Sequence, residues 1–312
     1  MAKTAVVAIG GNSLIKDSAH QTVPDQLSAT IETCSHLASI IQKGWRVVIT
    51  HGNGPQVGFI LMRSELSRNV LHEVPLDFCV ADTQGAIGYM IQQSLRNELK
   101  KRNIDNQTTT VVTQVLVDKN DPAFKNPTKP LGPFYDKEKA MKYKTALGWQ
   151  IAEDAGRGWR RVVPSPIPLQ IIELNVIESL VKQGITAIAV GGGGIPVIME
   201  GDRLKGVEAV IDKDYASGLL ASSIKTDLFL ISTSVEKVAL NYGKPNQKWL
   251  KKLTLKEAKK YFAEGHFLPG SMGPKIEAAI AYLEHGGKKV LITSPENLER
   301  ALTGETGTVI MA

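Results

Sequence analysis

The sequence predicts an α/β fold: an open, mostly parallel sheet sandwiched between helix layers, with a small protruding subdomain. Three observations predict it. First, apolar β-type runs alternate with stretches of helical period through most of the chain, the pattern of a parallel sheet covered on both faces. Second, three of those runs end in glycine-rich turns: Gly10-Gly11-Asn12, Gly52-Asn53-Gly54 and Gly191-Gly192-Gly193-Gly194. Third, the alternation breaks over 118–149, which holds Pro122, Pro127, Pro130 and Pro133 and no long apolar-periodic run before Lys137. A connection that long inside a compact domain is an excursion with a task of its own, and Phe124, Phe134 and Tyr135 give it apolar anchors.

The elements follow in order. A strand over 5–9 leads into the first glycine turn. Residues 25–43 place Leu27, Ile31, Cys34, Leu37, Ala38 and Ile41 at helical spacing, and Gly44 stops the run. A strand over 47–50 leads into the second turn. The helix over 77–102 lines Ile87, Met90, Ile91, Leu95 and Leu99 along one face, and the β-branched residues of 109–117 read as a single strand. After the excursion the sheet pattern resumes at Arg161-Val162-Val163, with a helix over 171–183 and a strand over 185–190. A β-type run at 207–211 precedes a helix at 215–224. Strands at 227–232, 288–293 and 306–311 and helices at 256–263 and 272–285 complete the chain. A boundary near residue 180 divides an N-terminal lobe (1–180), carrying the excursion, from a C-terminal lobe (181–312).

Composition narrows the function. The chain has 312 residues, 43% hydrophobic and 22% charged, ordinary for a globular protein able to bury a core. The net charge of +6 comes from lysines and arginines dispersed among acids, as in Glu98-Leu99-Lys100-Lys101-Arg102. That is not the footprint of a nucleic-acid binder, and the mild excess suits small anionic substrates. Cys34 and Cys79 read as small core residues in a reduced compartment. No apolar run approaches membrane-spanning length and no leader pattern opens the chain, so the expectation is a cytoplasmic protein with no membrane partner.

The glycine turns suggest phosphate. A strand ending in glycines lets the backbone approach a ligand and aim N–H groups at it, and a following helix N-terminus adds favourable potential for an anion. None of the turns ends in Gly-Lys-Ser/Thr, so no Walker A loop is present, and none is a dinucleotide fingerprint. Each alone reads equally as a tight turn. Three together, with Asn12 and Asn53 able to donate hydrogen bonds, favour an anion site. Phosphoryl transfer also needs cations to neutralise the transferring oxygens. Asp212-Lys213-Asp214 opens a helix and reads two ways: a lysine on phosphate oriented by an acid, or an N-cap beside a solvated lysine. Lys275 occupies a helix first turn, unfavourable for the helix dipole unless an anion is near. Lys129 lies between Pro127 and Pro130, which stiffen its backbone; by itself it is also an ordinary surface lysine. His51 has no second His or Cys at ligand spacing and reads as a structural histidine. Ser13, Ser165 and Ser271 lack a nucleophile elbow.

Taken in order, these stretches resemble the carbamate kinase family of the amino-acid kinase superfamily over essentially the whole chain. The marks are Ala8-Ile9-Gly10-Gly11-Asn12, His51-Gly52-Asn53-Gly54-Pro55-Gln56-Val57-Gly58, Asn126-Pro127-Thr128-Lys129-Pro130-Leu131-Gly132-Pro133-Phe134, Glu153 through Pro166, Asp212-Lys213-Asp214, and Pro269-Gly270-Ser271-Met272. The resemblance implies an eight-stranded amino-acid kinase fold, a homodimer, and exchange of a phosphoryl group between ATP and carbamate with Mg²⁺, ATP-forming in vivo. It implies that Gly10, Gly11, Asn12, Gly52, Asn53 and Gly54 hold carbamate and the moving phosphoryl group. Lys129, Lys213 and Lys275 then neutralise charge, and Asp214 organises the lysines or the metal-bound phosphates. Gly191, Gly192, Gly193, Gly194, Tyr242 and Met272 belong to the nucleotide pocket of the C-terminal lobe, and the run 157–161 has no assigned role. Acylglutamate and glutamate kinases usually carry a lysine two residues before the first Gly-Gly. This chain has Ala8 there, and Lys129 is the candidate to supply the missing charge. A kinase of the same superfamily acting on another small acid, or a non-catalytic nucleotide-binding regulator, are the alternatives.

Overall fold

A computed structural model of the chain describes residues 2–15, 17, 19–154, 156 and 158–312, with Asn12 described through its backbone alone. Its centre is an eight-stranded sheet in the order Lys252–Thr254, Thr308–Met311, Lys289–Thr293, Leu228–Ser232, Thr4–Ile9, Arg46–His51, Thr186–Ile188 and Thr108–Thr110. All neighbours run parallel except Lys289–Thr293 and Thr308–Met311. The sheet passes without a break through residues on both sides of 180.

Strand periodicity divides the core. In Thr4–Ile9, Ala5, Val7 and Ile9 face one helix layer, while Val6 and Ala8 face the other. Leu228 and Leu230 join the first set, Phe229 and Ile231 the second. Helices Val23–Gln42 and Leu76–Lys101 cover the first face with Cys34, Leu37, Ile40, Ile87, Ile91 and Leu95. Helices Leu174–Lys182, Lys213–Ser223 and Met272–Glu284 cover the second with Ile177, Leu220 and Ile276. Because both faces are dry, the central strands carry almost no polar residue until their last positions. Cys34 and Cys79 are free and buried. Among the described residues no helix is long and apolar enough to cross a membrane.

The structure departs from the sequence reading at three places. The run 109–117 is two strands: Thr108–Thr110 closes the main sheet, and Gln114–Val117 enters a separate four-stranded sheet. The break is held by a side chain. Thr113 N–H donates to Gln84 Oε1 (2.8 Å), and Gln84 Nε2 donates to the Thr113 carbonyl (3.0 Å), which also accepts from Ile195 N–H (2.9 Å) at the start of the second sheet. Residues 161–163 belong not to the main sheet but to Trp159–Val163, which pairs antiparallel with Lys129–Tyr135 and Ile151–Glu153. The excursion expected over 118–149 therefore gathers strands as far as Val163, around helix Lys137–Leu147. Finally, 207–211 is no strand but a connection pinned by Val207 N–H to the Pro196 carbonyl and Val210 N–H to the Pro164 carbonyl.

The excursion stands on helix Gly54–Ser67. Gly58 and Gly132 touch backbone to backbone; a Cβ on Gly58 would lie 2.7 Å from the Gly132 Cα, so only glycine allows the approach. Around this contact Tyr135, Tyr143 and Trp149 pack ring against ring. Glu65 accepts from Trp149 Nε1 (3.1 Å) and Arg161 (2.8 Å).

The core ledger yields a direct test. Leu230 is fully buried on the central strand pair, and truncation leaves a cavity the packed sheet cannot close. Leu230→Ala is expected to lower unfolding free energy by about 2–5 kcal/mol in chemical denaturation; a loss under ~1 kcal/mol would contradict the dry two-layer core.

Candidate active site

Strand Thr4–Ile9 lies where the chain order turns: Arg46–His51 lies on one side of it and Leu228–Ser232 on the other. Open α/β sheets bind ligands beyond the carboxyl ends of the strands at such a switch point. The first two glycine turns meet there. Gly10 backs onto the Ser232 carbonyl and leads into a single 3₁₀ turn, Gly11–Ser13. Gly52 N–H donates to the Ile9 carbonyl (3.3 Å), joining the two turns, and helix Gly54–Ser67 starts immediately after Asn53. A Cβ on Gly52 would sit 3.5 Å from Lys213 Cδ and 4.0 Å from Gly11 N, so Lys213 runs past both turns. Asn12 has its backbone in the 3₁₀ turn, and its side chain lies outside what the structure describes.

The charged residues converge on this edge. Lys213 Nζ donates to Asp214 Oδ1 (2.7 Å) and Lys275 Nζ donates to Asp214 Oδ2 (3.2 Å) and the Ser271 carbonyl (3.0 Å). Lys129 Nζ donates to Asp212 Oδ2 (2.9 Å) from the excursion. Asp212 also caps helix Lys213–Ser223, its Oδ1 accepting from Asp214 N–H (2.9 Å). The N-cap reading and the charge-cluster reading of Asp212-Lys213-Asp214 thus hold together. Lys213 and Lys275 each stand in a helix first turn, and Asp214 offsets the unfavourable dipole for both. The cluster sets three ammonium groups against two carboxylates, one positive charge in excess.

Burial sharpens this electrostatics. Asp214 is 3% exposed. Burial alone would raise its pKa, but Lys213 and then Lys275 outweigh it and hold the carboxyl at about 2. Burial pushes the Lys213 ammonium below its ordinary range; Asp214 opposes this and Lys275 adds to it. Two ammonium groups sharing one carboxylate leave this edge suited to a further anion.

The residues expected to form one nucleotide pocket are separated in the structure. Tyr242 and Met272 line a cavity of about 200 Å³ with Thr233, Ser234, Lys237 and Phe267. Gly191, Gly192, Gly193 and Gly194 lie elsewhere, buried behind the second glycine turn. Each position is filled by a neighbour: His51 at Gly191, Asn53 at Gly192, the Ile211 carbonyl at Gly193 and Val115 at Gly194. Gly193 has φ +95° besides, and Val190 before it is held at φ +54°, a strained conformation for a β-branched residue. This turn is a close-packed joint between the main sheet, the second sheet and the start of helix Lys213–Ser223. The cavity touches the charge cluster through Ser271, whose carbonyl holds Lys275, and through Thr233, next to the Ser232 that backs Gly10. Arg157, in the run without a role, and Ala155 lie outside the described residues. Within that run Arg160 pairs with Asp154 (3.0 Å) and Arg161 with Glu65, so both brace the excursion.

Sequence reasoning passed over Thr233 and Ser234, although they directly follow a β-type run and so sit at the carboxyl edge of the sheet, where they line the cavity. It also passed over Gln84. This buried amide joins helix Leu76–Lys101 to Thr113 and to the Gly191 carbonyl (2.9 Å), and a glutamine inside a helix carries no local sign of that.

His51 is the structural histidine expected from the sequence. It is 1% exposed, and its Nδ1 donates to the Gly52 carbonyl (3.0 Å), since a carbonyl can only accept. Burial, aided by Lys213, lowers its pKa to about 4 from an ordinary 6.5. The unfolded chain takes up this proton near pH 6.5 and the native state only near 4, so stability rises with pH across that window and is lost on acidification. The loss at this one site is on the order of 3 kcal/mol. Denaturation at pH 7 and pH 4.5 should show His51→Gln with a visibly flatter pH slope than the parent; equal slopes would contradict a neutral buried imidazole.

Comparison with known proteins agrees with this architecture. The model of the amino acid kinase family matches residues 3–294. A carbamate kinase of Thermococcus kodakarensis is 51% identical over 312 residues, covering 99% of each chain. A carbamate kinase-like protein of Escherichia coli is 49% identical, covering 100% of this chain and 99% of its own. The solved carbamate kinase of Giardia lamblia bound to AMP-PNP superposes with a TM-score of 0.93 at 42% identity, covering 99% of this chain and 98% of that one. With its switch-point glycines, its converging lysines and these full-length relatives, the chain belongs to the amino acid kinase family, on its carbamate kinase branch.

Proposed function

We propose that this chain moves a phosphoryl group reversibly between ATP and carbamate. The observation that carries the proposal is the convergence of Lys129, Lys213 and Lys275, from three distant segments, onto Asp212 and Asp214 beside two glycine turns. In one direction a carbamate oxygen attacks the γ-phosphorus of ATP, the bond to the bridging oxygen breaks, and ADP leaves. In the other, a β-phosphate oxygen of ADP attacks the phosphorus of carbamoyl phosphate and carbamate leaves. Both reactants are anions, so the main barrier is mutual repulsion, and positioning plus charge neutralisation suffice without a covalent intermediate.

The residues divide the work. Backbone N–H groups of the turn at Gly10, Gly11 and Asn12 and of Asn53 and Gly54 hold carbamate and the moving group, while Gly52, its own N–H given to the Ile9 carbonyl, keeps the two turns together. Lys213 lies between the turns, Lys275 approaches from the cavity side and Lys129 closes from the excursion. The cavity at Tyr242 and Met272 takes the nucleoside, an assignment supported by Ser271, which lines it and whose carbonyl holds Lys275, and by the AMP-PNP bound to the Giardia relative. Mg²⁺ arrives as part of the nucleotide substrate, on its phosphates, and lowers their charge. The in vivo direction is ATP synthesis, since carbamoyl phosphate is an activated mixed anhydride. The exposed apolar side chains Leu66, Phe78 and Tyr89 on neighbouring helices support a homodimer.

A coupled assay of ATP formation from carbamoyl phosphate and ADP tests the reading. Lys213→Ala is expected to cut kcat by roughly 10²–10³-fold, the scale for removing one preorganised charge-stabilising donor, and Lys129→Ala to cut kcat/KM clearly. Near-parental turnover in both variants, or faster phosphorylation of glutamate, aspartate or uridylate than of carbamate, would defeat it.

A further inference from the structure

We infer that Asp212 is a positioning residue: its carboxylate holds Lys129, and with it the mouth of the excursion, over the phosphoryl site. The inference rests on the proposed reaction.

The three lysines are not held alike. Lys213 and Lys275 belong to helices of the main body and share Asp214, one on each oxygen. Lys129 belongs to the excursion, whose base is seated on helix Gly54–Ser67 through Gly58, Gly132 and the Glu65 contacts. Its ammonium reaches across to Asp212, 83 residues away in sequence. Both side chains of this pair are 23% exposed, so water competes for Lys129 once its partner is gone. A lysine on a flexible four-carbon stem then spreads over many rotamers.

Asp212 does two jobs with two atoms. Oδ1 caps helix Lys213–Ser223 by accepting from Asp214 N–H, and Oδ2 accepts from Lys129 Nζ. The cap orients the carboxylate, so the place of the excursion's lysine is referred to the same helix start that carries Lys213 and Asp214. One carboxylate thereby registers the excursion's side of the charge cluster against the side carried by the main body. Asp212 itself needs no contact with substrate; its effect passes through Lys129.

The two jobs can be separated. Asn and Ser cap helices about as well as Asp but carry no charge, so Asp212→Asn and Asp212→Ser keep the cap and weaken the hold on Lys129. The experiment compares the parent, Asp212→Asn, Asp212→Ser, Lys129→Ala and the Lys129→Ala/Asp212→Asn double variant. The readouts are kcat and KM for carbamoyl phosphate with ADP, and the melting temperature. We expect both Asp212 variants to lose roughly 10-fold in kcat/KM while melting within about 2 °C of the parent, and the double variant to be no slower than Lys129→Ala alone. Losses that multiply in the double variant, or Asp212 variants as fast as the parent or faster, overturn the inference while leaving the reaction in place. If both Asp212 variants melt much lower, the carboxylate is structural and the inference also falls. A parent that forms no ATP from carbamoyl phosphate overturns the proposed reaction first, and this inference with it.

Discussion

One buried carboxylate organises the site. Three ammonium groups crowded onto one sheet edge repel one another, and two of them are largely desolvated. Asp214, 3% exposed, accepts from Lys213 and Lys275 on opposite oxygens and makes their approach stable. A buried carboxylate without partners would be protonated, and a buried lysine without a partner would lose its proton. Each is charged because the other is. The cluster keeps one positive charge in excess, which suits the anionic reactants of the proposed reaction.

That arrangement needs an exact meeting of helix starts. Lys213 and Lys275 lie in the first turns of two helices that pack on the same face of the sheet, and their dipoles add positive potential at the same place. The second glycine turn adds a third helix start. The close-packed joint at 190–194 fixes the starts of helices Gly54–Ser67 and Lys213–Ser223 relative to each other, and helix Met272–Glu284 packs directly on Lys213–Ser223. His51, Asn53, Val115 and the Ile211 carbonyl fill the space that side chains on its glycines would need. The four-glycine turn thus serves the site through packing: it lets strand Arg46–His51 and the residues leading to Asp212 approach each other closely. Its conformation, including Val190 at φ +54°, is imposed by neighbours, with Gln84 and Thr113 Oγ1 satisfying its backbone.

The excursion solves a different problem. The first glycine turn follows Ala8, so the early strand carries no cation of its own to the site. A lysine delivered on a separate body supplies that charge from the opposite side. The aromatic base around Tyr135, Tyr143 and Trp149 sets where the body stands, and the pair with Asp212 sets where its lysine points. A rigid footing and a polar, replaceable contact at the tip suit the role proposed for Lys129, exchange of a carboxylate for a phosphoryl oxygen.

Much of this was legible along the chain. Period and polarity are local, so the central strands, the long helices, the glycine turns and the excursion could be read from runs of a few residues. The charged positions stood out because each was odd in its own segment: Lys275 at a helix start, Lys129 between prolines, Lys213 between acids. Pairing was not legible, because it joins residues distant in sequence. Nothing near 109–117 shows that a glutamine from helix Leu76–Lys101 splits the run into two strands. Nothing near 161–163 shows that its partner is Lys129–Tyr135. Four consecutive glycines look the same whether they leave room for a ligand or for His51 and Asn53. The sequence by itself determined the layered sheet, the phosphate-seeking edge and the inventory of charges. The tertiary structure alone decided which carboxylate holds which lysine and which glycines are packed against neighbours, because both depend on distances between segments that only the folded sheet brings together.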